Sequence, residues 1–141
     1  SKKKNINGSY VPSDKEEFMN AKQKKYFKKL LVDWKNDLLQ VSSHTISNLK
    51  EESSNKPDNA DRASIESERS LELRTRDRER KLINKINKAL RKIEDGTYGY
   101  CEETNQPISL KRLIARPIAT LSLEAQESHE KSEKIYKEKE Y

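Results

Sequence analysis

Two seams of apolar residues, separated by one sharp break, constrain this chain more than any other feature. Phe27, Leu31, Trp34, Leu38 and Val41 follow at spacings of 4, 3, 4 and 3. That is the period of a helix packing along a narrow stripe. Leu30, Leu39, Ile46 and Leu49 widen the stripe. Leu82, Ile86, Ala89 and Ile93 make a second seam. Between them lies SSNKPDNAD, residues 53–61, where Ser, Asn, Pro and Asp cluster and Pro57 stops an incoming helix. Two helices of similar length joined by a short loop predict an antiparallel hairpin.

The boundaries follow from local chemistry. Residues 1–12 read as a flexible basic lead-in. Ser13 followed by Glu16 is a capping-box pattern, so the first helix is expected to begin there and run to about residue 53. Asp61 is placed to cap a second helix from Arg62 to about Glu94. Between Ile65 and Leu82 its only large aliphatics are Leu71 and Leu73. Gly96, after Asp95, suits the end of that helix. Residues 98–110 read as a short β-hairpin with Asn105 in the turn, and Leu110–Ala115 as a short helix broken by Arg116-Pro117. A last helix is expected from about Leu121 to Lys137. The fold class is mainly α. A long antiparallel coiled-coil hairpin (34–94, tip 56–63) projects from a small globular part. That part is made of residues 13–33 and of 95–141, a finger-like segment with a C-terminal helix.

Composition narrows the function. The 141 residues are 31% hydrophobic and 38% charged, too polar for a large core. No apolar run reaches the length of a membrane span, and no signal peptide is visible. One cysteine cannot form an internal disulfide, which fits a cytoplasmic protein. Net charge is +6, so nucleic acid is one candidate partner. However, residues 1–40 carry about +5, residues 50–70 about −2 and residues 71–95 about +4. Carboxylates at the hairpin's end would be repelled by phosphates, so a protein partner fits better than a duplex. Arg74, Arg76, Arg78, Arg80 and Lys81 form a dense basic run among Glu72, Asp77 and Glu79, which reads as a solvated, salt-bridged helix face or as a contact face. There is no Walker, GxSxG or HExxH motif, and His44 and His129 have no motif partners. No catalysis is expected. Cys101 reads as a small buried residue, and the neighbouring Glu102 and Glu103 are expected to raise its pKa.

SLELRTRDRERKLINKI (70–86), the loop PDNADRAS (57–64) and GYCEETNQPISLKRLIARPIATLSLEAQE (99–127), in that order, resemble the DksA/TraR family of bacterial transcription regulators. The resemblance covers roughly residues 10–138 and is similar to the cysteine-poor branch of that family. It implies a monomer that binds bacterial RNA polymerase directly, enters its secondary channel and alters open-complex lifetime, with no sequence-specific DNA binding of its own. It implies a tip at Asp58, Asp61 and Ala63, although Asp at such positions also serves as turn-former and N-cap. It implies a guanosine tetraphosphate (ppGpp) site that polymerase completes, matched by Leu82, Lys85 and Arg116, with Gln126 where the family has a third cation. The family's four zinc positions fall on Cys101, Thr104, Ser122 and Ala125. Thr, Ser and Ala are not usual zinc ligands, so no zinc is expected. Ile108, Leu110, Leu113, Ile118 and Leu121 are then expected to hold the finger by packing. Two rivals share these features: a Gre-type transcript-cleavage factor, and a basic nucleic-acid-binding protein. An inert coiled-coil scaffold is a third.

Overall fold

The lead-in ending at Pro12 is followed not by a helix but by turns. The structure, a computed structural model, describes the backbone of residues 10–53 and 59–139 and the side chains of 10–41 and 63–137. Helix α1 spans Ala21–Ser53, α2 Asn59–Asp95, α3 Leu110–Ala115 and α4 Leu123–Lys139. The expected start of α1 at Ser13 is therefore too early. Ser13 and Glu16 close a local turn, with the Glu16 N–H donating to Ser13 O at 3.2 Å. Met19 then takes φ 54°, a left-handed conformation that no helix carries through. Asn20 is the true cap: its Oδ1 accepts from the Gln23 N–H at 2.9 Å. Gln23 is fully buried and ties the turn down. Its Oε1 accepts from the Met19 N–H at 2.8 Å, and its Nε2 donates to Ser13 O and to Glu16, both at 3.3 Å. The Tyr10 hydroxyl donates to Glu16 at 2.5 Å. Burial and then this carboxylate raise Tyr10 to about 12, and the same hydroxyl lowers Glu16.

The chain divides into two compact units. One comprises the chain up to Leu31 together with the chain from Ala89 onward. Its core holds Phe27, Leu31, Leu113 and Ile108, each at most 1% exposed, with Leu110, Ile93 and Tyr98 around them. Aromatic edges run through it: Tyr26 on Phe27 at 5.3 Å, and Phe27 on Tyr98 at 5.5 Å. Of the residues expected to hold the finger, Ile108, Leu110 and Leu113 are buried, and Ile118 and Leu121 are half-buried. The expected β-hairpin at 98–110 reduces to one bridge, Tyr100 with Pro107; no strand forms among the described residues.

The other unit is Val32–Lys88, the outer part of α1 and most of α2. Two helices in one compact unit, with only residues 54–58 between them, run antiparallel. Trp34 and Leu38 are half-buried, as seam residues. Val41, expected in the seam, is 51% exposed. On α2 the inward positions recur every seven residues: Ile65, Glu72 and Glu79 are half-buried and Ile86 fully buried. The seam thus turns polar in its middle. Leu71 and Leu73, on either side of Glu72, face solvent at 60% and 51% exposure.

Candidate functional site

The finger-like segment is built by turns that glycine and asparagine permit. After α2, Gly96 adopts φ 78° and the Thr97 N–H donates back to Lys92 O at 2.9 Å, closing the helix. Gly99 adopts φ 88°, and a Cβ there would meet the Phe18 ring at 3.0 Å. Glycine is therefore required twice over, by conformation and by space. Asn105 takes φ 60° in the next turn, as expected of it. Backbone bonds from Cys101 N–H to Gln106 O (2.8 Å) and Asn105 N–H to Cys101 O (2.9 Å) close this loop, and Glu102 N–H to Thr120 O (2.9 Å) ties it to the segment before α4.

Cys101 sits inside that loop at 1% exposure. Burial pushes its thiol up. The Thr104 hydroxyl and the backbone N–H groups of Ser122, Thr104 and Glu103 all donate to the sulfur and outweigh burial, bringing the pKa down to about 6. The expectation that Glu102 and Glu103 would raise it is overturned. Both carboxylates are spoken for: Glu102 accepts from Lys92 Nζ at 2.5 Å, and Glu103 contacts His129 Nε2 on α4. The donors that set the thiol come from backbone and from Thr104.

The three residues expected to match the other zinc positions have other duties. Thr104 supplies the hydroxyl just described. Ser122 is the N-cap of α4, its Oγ accepting from the Ala125 N–H at 3.2 Å. Ala125 is buried and has no donor atom to offer. One sulfur, two engaged hydroxyls and a methyl group do not make the tetrahedral N/S set that zinc requires. Among the described residues, no group of three or more His, Cys, Asp and Glu side chains could hold a metal ion.

Sequence reasoning missed Tyr98. Its hydroxyl donates to Pro117 O at 2.7 Å across a buried gap, clamping the start of the finger to the segment between α3 and α4. Burial raises its pKa. The Arg112 guanidinium does a similar job, donating from Nε to Leu121 O at 2.9 Å.

Of the expected tip, Asp58 lies outside the described residues, Asp61 falls within α2 with its side chain outside them, and Ala63 is exposed. Because α2 begins at Asn59, Asp61 lies inside the helix and not at its cap. Leu82 is half-buried and Lys85 exposed on α2, in the hairpin unit. Arg116 is exposed and ends α3, in the other unit. Gln126 turns its amide along α4 to Glu130 at 3.2 Å. In the basic run, Asp77 binds Arg80 at 2.7 Å and Lys81 at 3.4 Å, and these cations lower its pKa.

The finger-like segment and the helical hairpin each have clear relatives. The profile of the DnaK suppressor protein DksA N-terminal domain matches residues 23–93, and that of the prokaryotic dksA/traR C4-type zinc finger matches residues 96–131. The chain is 57% identical, over 129 residues, to an RNA polymerase-binding transcription factor DksA of Caulobacter vibrioides, covering 92% of this chain and 91% of that one. The chain belongs to the DksA family. The DksA of Escherichia coli is 45% identical over 125 residues, covering 89% of this chain and 83% of the relative. Among solved structures, transcription factor DksA2 from Pseudomonas aeruginosa superposes with a TM-score of 0.77 at 39% identity, over 83% of this chain and 90% of that one. The family's zinc finger is of four-cysteine type. Within the matched segment the chain has one cysteine, Cys101.

Proposed function

We propose that this protein is a bacterial RNA polymerase-binding regulator of transcription initiation. It acts as a cytoplasmic monomer, without a catalytic step of its own and without sequence-specific DNA binding. The observation that carries the reading is family membership over nearly the whole length of its relatives, which are named for binding RNA polymerase. The hairpin enters the polymerase secondary channel, with Asp58, Asp61 and Ala63 at its tip. A few carboxylates carried into a channel near basic groups and a catalytic metal would alter local charge without forming a covalent bond. The globular part holds without zinc, because its former metal positions now cap a helix, donate to Cys101 or pack. Leu82, Lys85 and Arg116 take part in a ppGpp site that polymerase completes. Two cations on phosphates are chemically apt, and Gln126 weakens the site by one charge.

Core polymerase retention followed by an initiation assay tests this. The protein should be retained and should shorten or lengthen open-complex lifetime at sensitive promoters. Asp61→Asn should leave affinity nearly unchanged while removing most of the effect on initiation. Lys85→Ala should blunt the response to ppGpp while sparing the protein's own effect. Cleavage of the transcript in a stalled complex would instead assign a Gre-type activity. Salt-sensitive duplex binding without polymerase would assign a nucleic-acid-binding function.

A further inference from the structure

The unit that contains the aromatic core carries its charge unevenly. Between Asn20 and Val32 no residue is acidic, and the first turns of α1 hold Lys22, Lys24, Lys25, Lys28 and Lys29. Gln23, Tyr26 and Phe27 of the same turns are buried. The exposed positions from 21 to 29 are Ala21, Lys22, Lys25, Lys28 and Lys29, with Lys24 half-buried beside them. At about 3.6 residues per turn the lysines fan across the whole outward side of the helix.

This arrangement lowers the stability of the free protein. Lys22 and Lys25, Lys25 and Lys28, Lys24 and Lys28, and Lys25 and Lys29 are like charges three or four apart on one helix, and each such pair repels. Lys22 and Lys24 also stand in the first turn, which has no acidic residue and where the helix dipole is already positive. Among the described residues Lys22, Lys24, Lys25 and Lys28 enter no ion pair; Lys22 lies 6.0 Å from the Tyr10 ring centroid. The nearest acids in sequence are Glu17 and Asp33. Other solvated faces mix the signs: Asp77 with Arg80 and Lys81 on α2, and Glu130 and Glu133 with Lys131 and Lys134 on α4. The α1 face is of one sign, and a polyanion relieves it.

The residue types specify which polyanion. A protein interface is built round apolar and aromatic anchors, with lysine depleted. Here the only exposed residue besides lysine is Ala21, so there is no anchor. Lysines are point charges on flexible stems, suited to a row of phosphates, where arginine would fix planar pairs. Lys22 to Lys29 spans about 10 Å of helix axis, a length over which a DNA duplex carries about six phosphate charges. A regulator of initiation meets polymerase on DNA, so that backbone is present in the complex.

We propose that Lys22, Lys24, Lys25, Lys28 and Lys29 form a phosphate-contacting face that touches the backbone of the DNA bound by RNA polymerase. This rests on the polymerase reading above and adds a second partner to it. The contact reads no sequence. With four or five phosphates it is weak alone, with a dissociation constant of about 0.1 mM at low salt. Polymerase supplies the tether. At an effective concentration of about 1 mM, the same contact raises affinity for the DNA-bound enzyme about tenfold over that for the enzyme alone.

The test measures affinity for core polymerase alone and for core polymerase assembled on a duplex with a pre-melted bubble, at about 50 mM and about 200 mM salt. Three proteins are compared: wild type, Lys22→Gln/Lys25→Gln/Lys28→Gln and, as a control of equal charge, Lys131→Gln/Lys134→Gln/Lys137→Gln on α4. All six positions are exposed. Wild type should bind the DNA-bound enzyme about tenfold more tightly at low salt, and this excess should vanish at high salt. The α1 variant should keep its affinity for the enzyme alone and lose the excess; the α4 variant should keep the excess. Glutamine matches lysine in helix propensity, so the α1 variant should melt at or above the wild-type temperature. A lower melting temperature would sink the repulsion on which the proposal rests. If wild type shows no excess on DNA, or the α4 variant loses it equally, the face is wrong and the polymerase reading stands. If the α1 variant loses as much affinity for the enzyme alone as for the DNA-bound enzyme, the face docks on acidic protein and the proposal falls. Duplex binding at high salt without polymerase would make the tether unnecessary and overturn it too. If wild type does not bind core polymerase at all, both readings fall together.

Discussion

Replacing Cys101 by alanine tests whether the sulfur does structurally what a metal does in the four-cysteine finger. The backbone around it would be unchanged, since Cys101 N–H to Gln106 O and Asn105 N–H to Cys101 O survive the substitution. Only the acceptor goes. Three backbone N–H groups and one hydroxyl then face a methyl group at a site 1% exposed to solvent. A buried donor left unpaired costs about 1–3 kcal/mol. Sharing one soft acceptor reduces the worth of each bond, and water can reach some donors once the sulfur is gone. Together with about 1 kcal/mol for the lost sulfur volume, the cost with the thiol protonated should be about 2–4 kcal/mol. That is well below the roughly 10–16 kcal/mol of a structural zinc, so the unit should remain folded. The acceptor's charge adds a pH signature. The folded thiol titrates at about 6, below its ordinary value of 9.0, so the stabilisation is fully present above about 9 and is lost as pH falls through about 6. Wild type should therefore gain on Cys101→Ala steadily between those limits and run parallel to it outside them. Urea unfolding at several pH values measures this. The thiolate's ultraviolet absorbance, unambiguous with a single cysteine, gives the midpoint directly. An absorbance midpoint at the ordinary thiol value, or a Cys101→Ala penalty below about 0.5 kcal/mol, would refute the reasoning.

Elemental analysis of purified protein should find negligible zinc, and a chelator should leave the melting temperature unchanged; stoichiometric metal would contradict this. Tyr98→Phe keeps the ring against Phe27 but strips the buried donor to Pro117 O, and urea unfolding should show a loss of about 1–2 kcal/mol. Gly99→Ala should cost about 1–3 kcal/mol by the same assay, since it combines φ 88° with a Cβ 3.0 Å from Phe18. Gly96→Ala shares the positive φ but meets nothing within 4 Å, so it should cost less than Gly99→Ala.

The two helices and the short helix at Leu110–Ala115 were legible because periodicity and turn chemistry are local. The start of α1 was not. Ser13 and Glu16 look like a capping box in isolation, but buried Gln23 ties Ser13, Glu16 and Met19 into a turn and the helix is capped seven residues further on, at Asn20. Val41, expected in the seam but 51% exposed, was misleading for a related reason. Pattern reading assigns aliphatics inward, and here Glu72 and Glu79 hold the inward register. At the finger, the loss of three zinc donors was plain in the sequence. The ionisation of Cys101 was not, because adjacent carboxylates are visible in sequence while an N–H from Ser122, brought in by folding, is not. Tyr98 carried no signal beyond its apolar ring; its partner is a carbonyl nineteen residues away.

On the proposed match of the four zinc positions to Cys101, Thr104, Ser122 and Ala125, the capping of α4 by Ser122 makes a four-cysteine site hard to build. A cysteine at 122 would surrender the cap, worth about 0.5–2 kcal/mol. A cysteine at 104 would remove the hydroxyl that supports Cys101, and one at 125 would crowd a site only 6% exposed. None of these steps gains a metal alone, because zinc repays the cost only when all four donors are present. Each single reversion therefore leads downhill in stability before the last one leads up. On that reading a descendant of this protein is confined to its side of that barrier, cut off, one substitution at a time, from the four-cysteine finger.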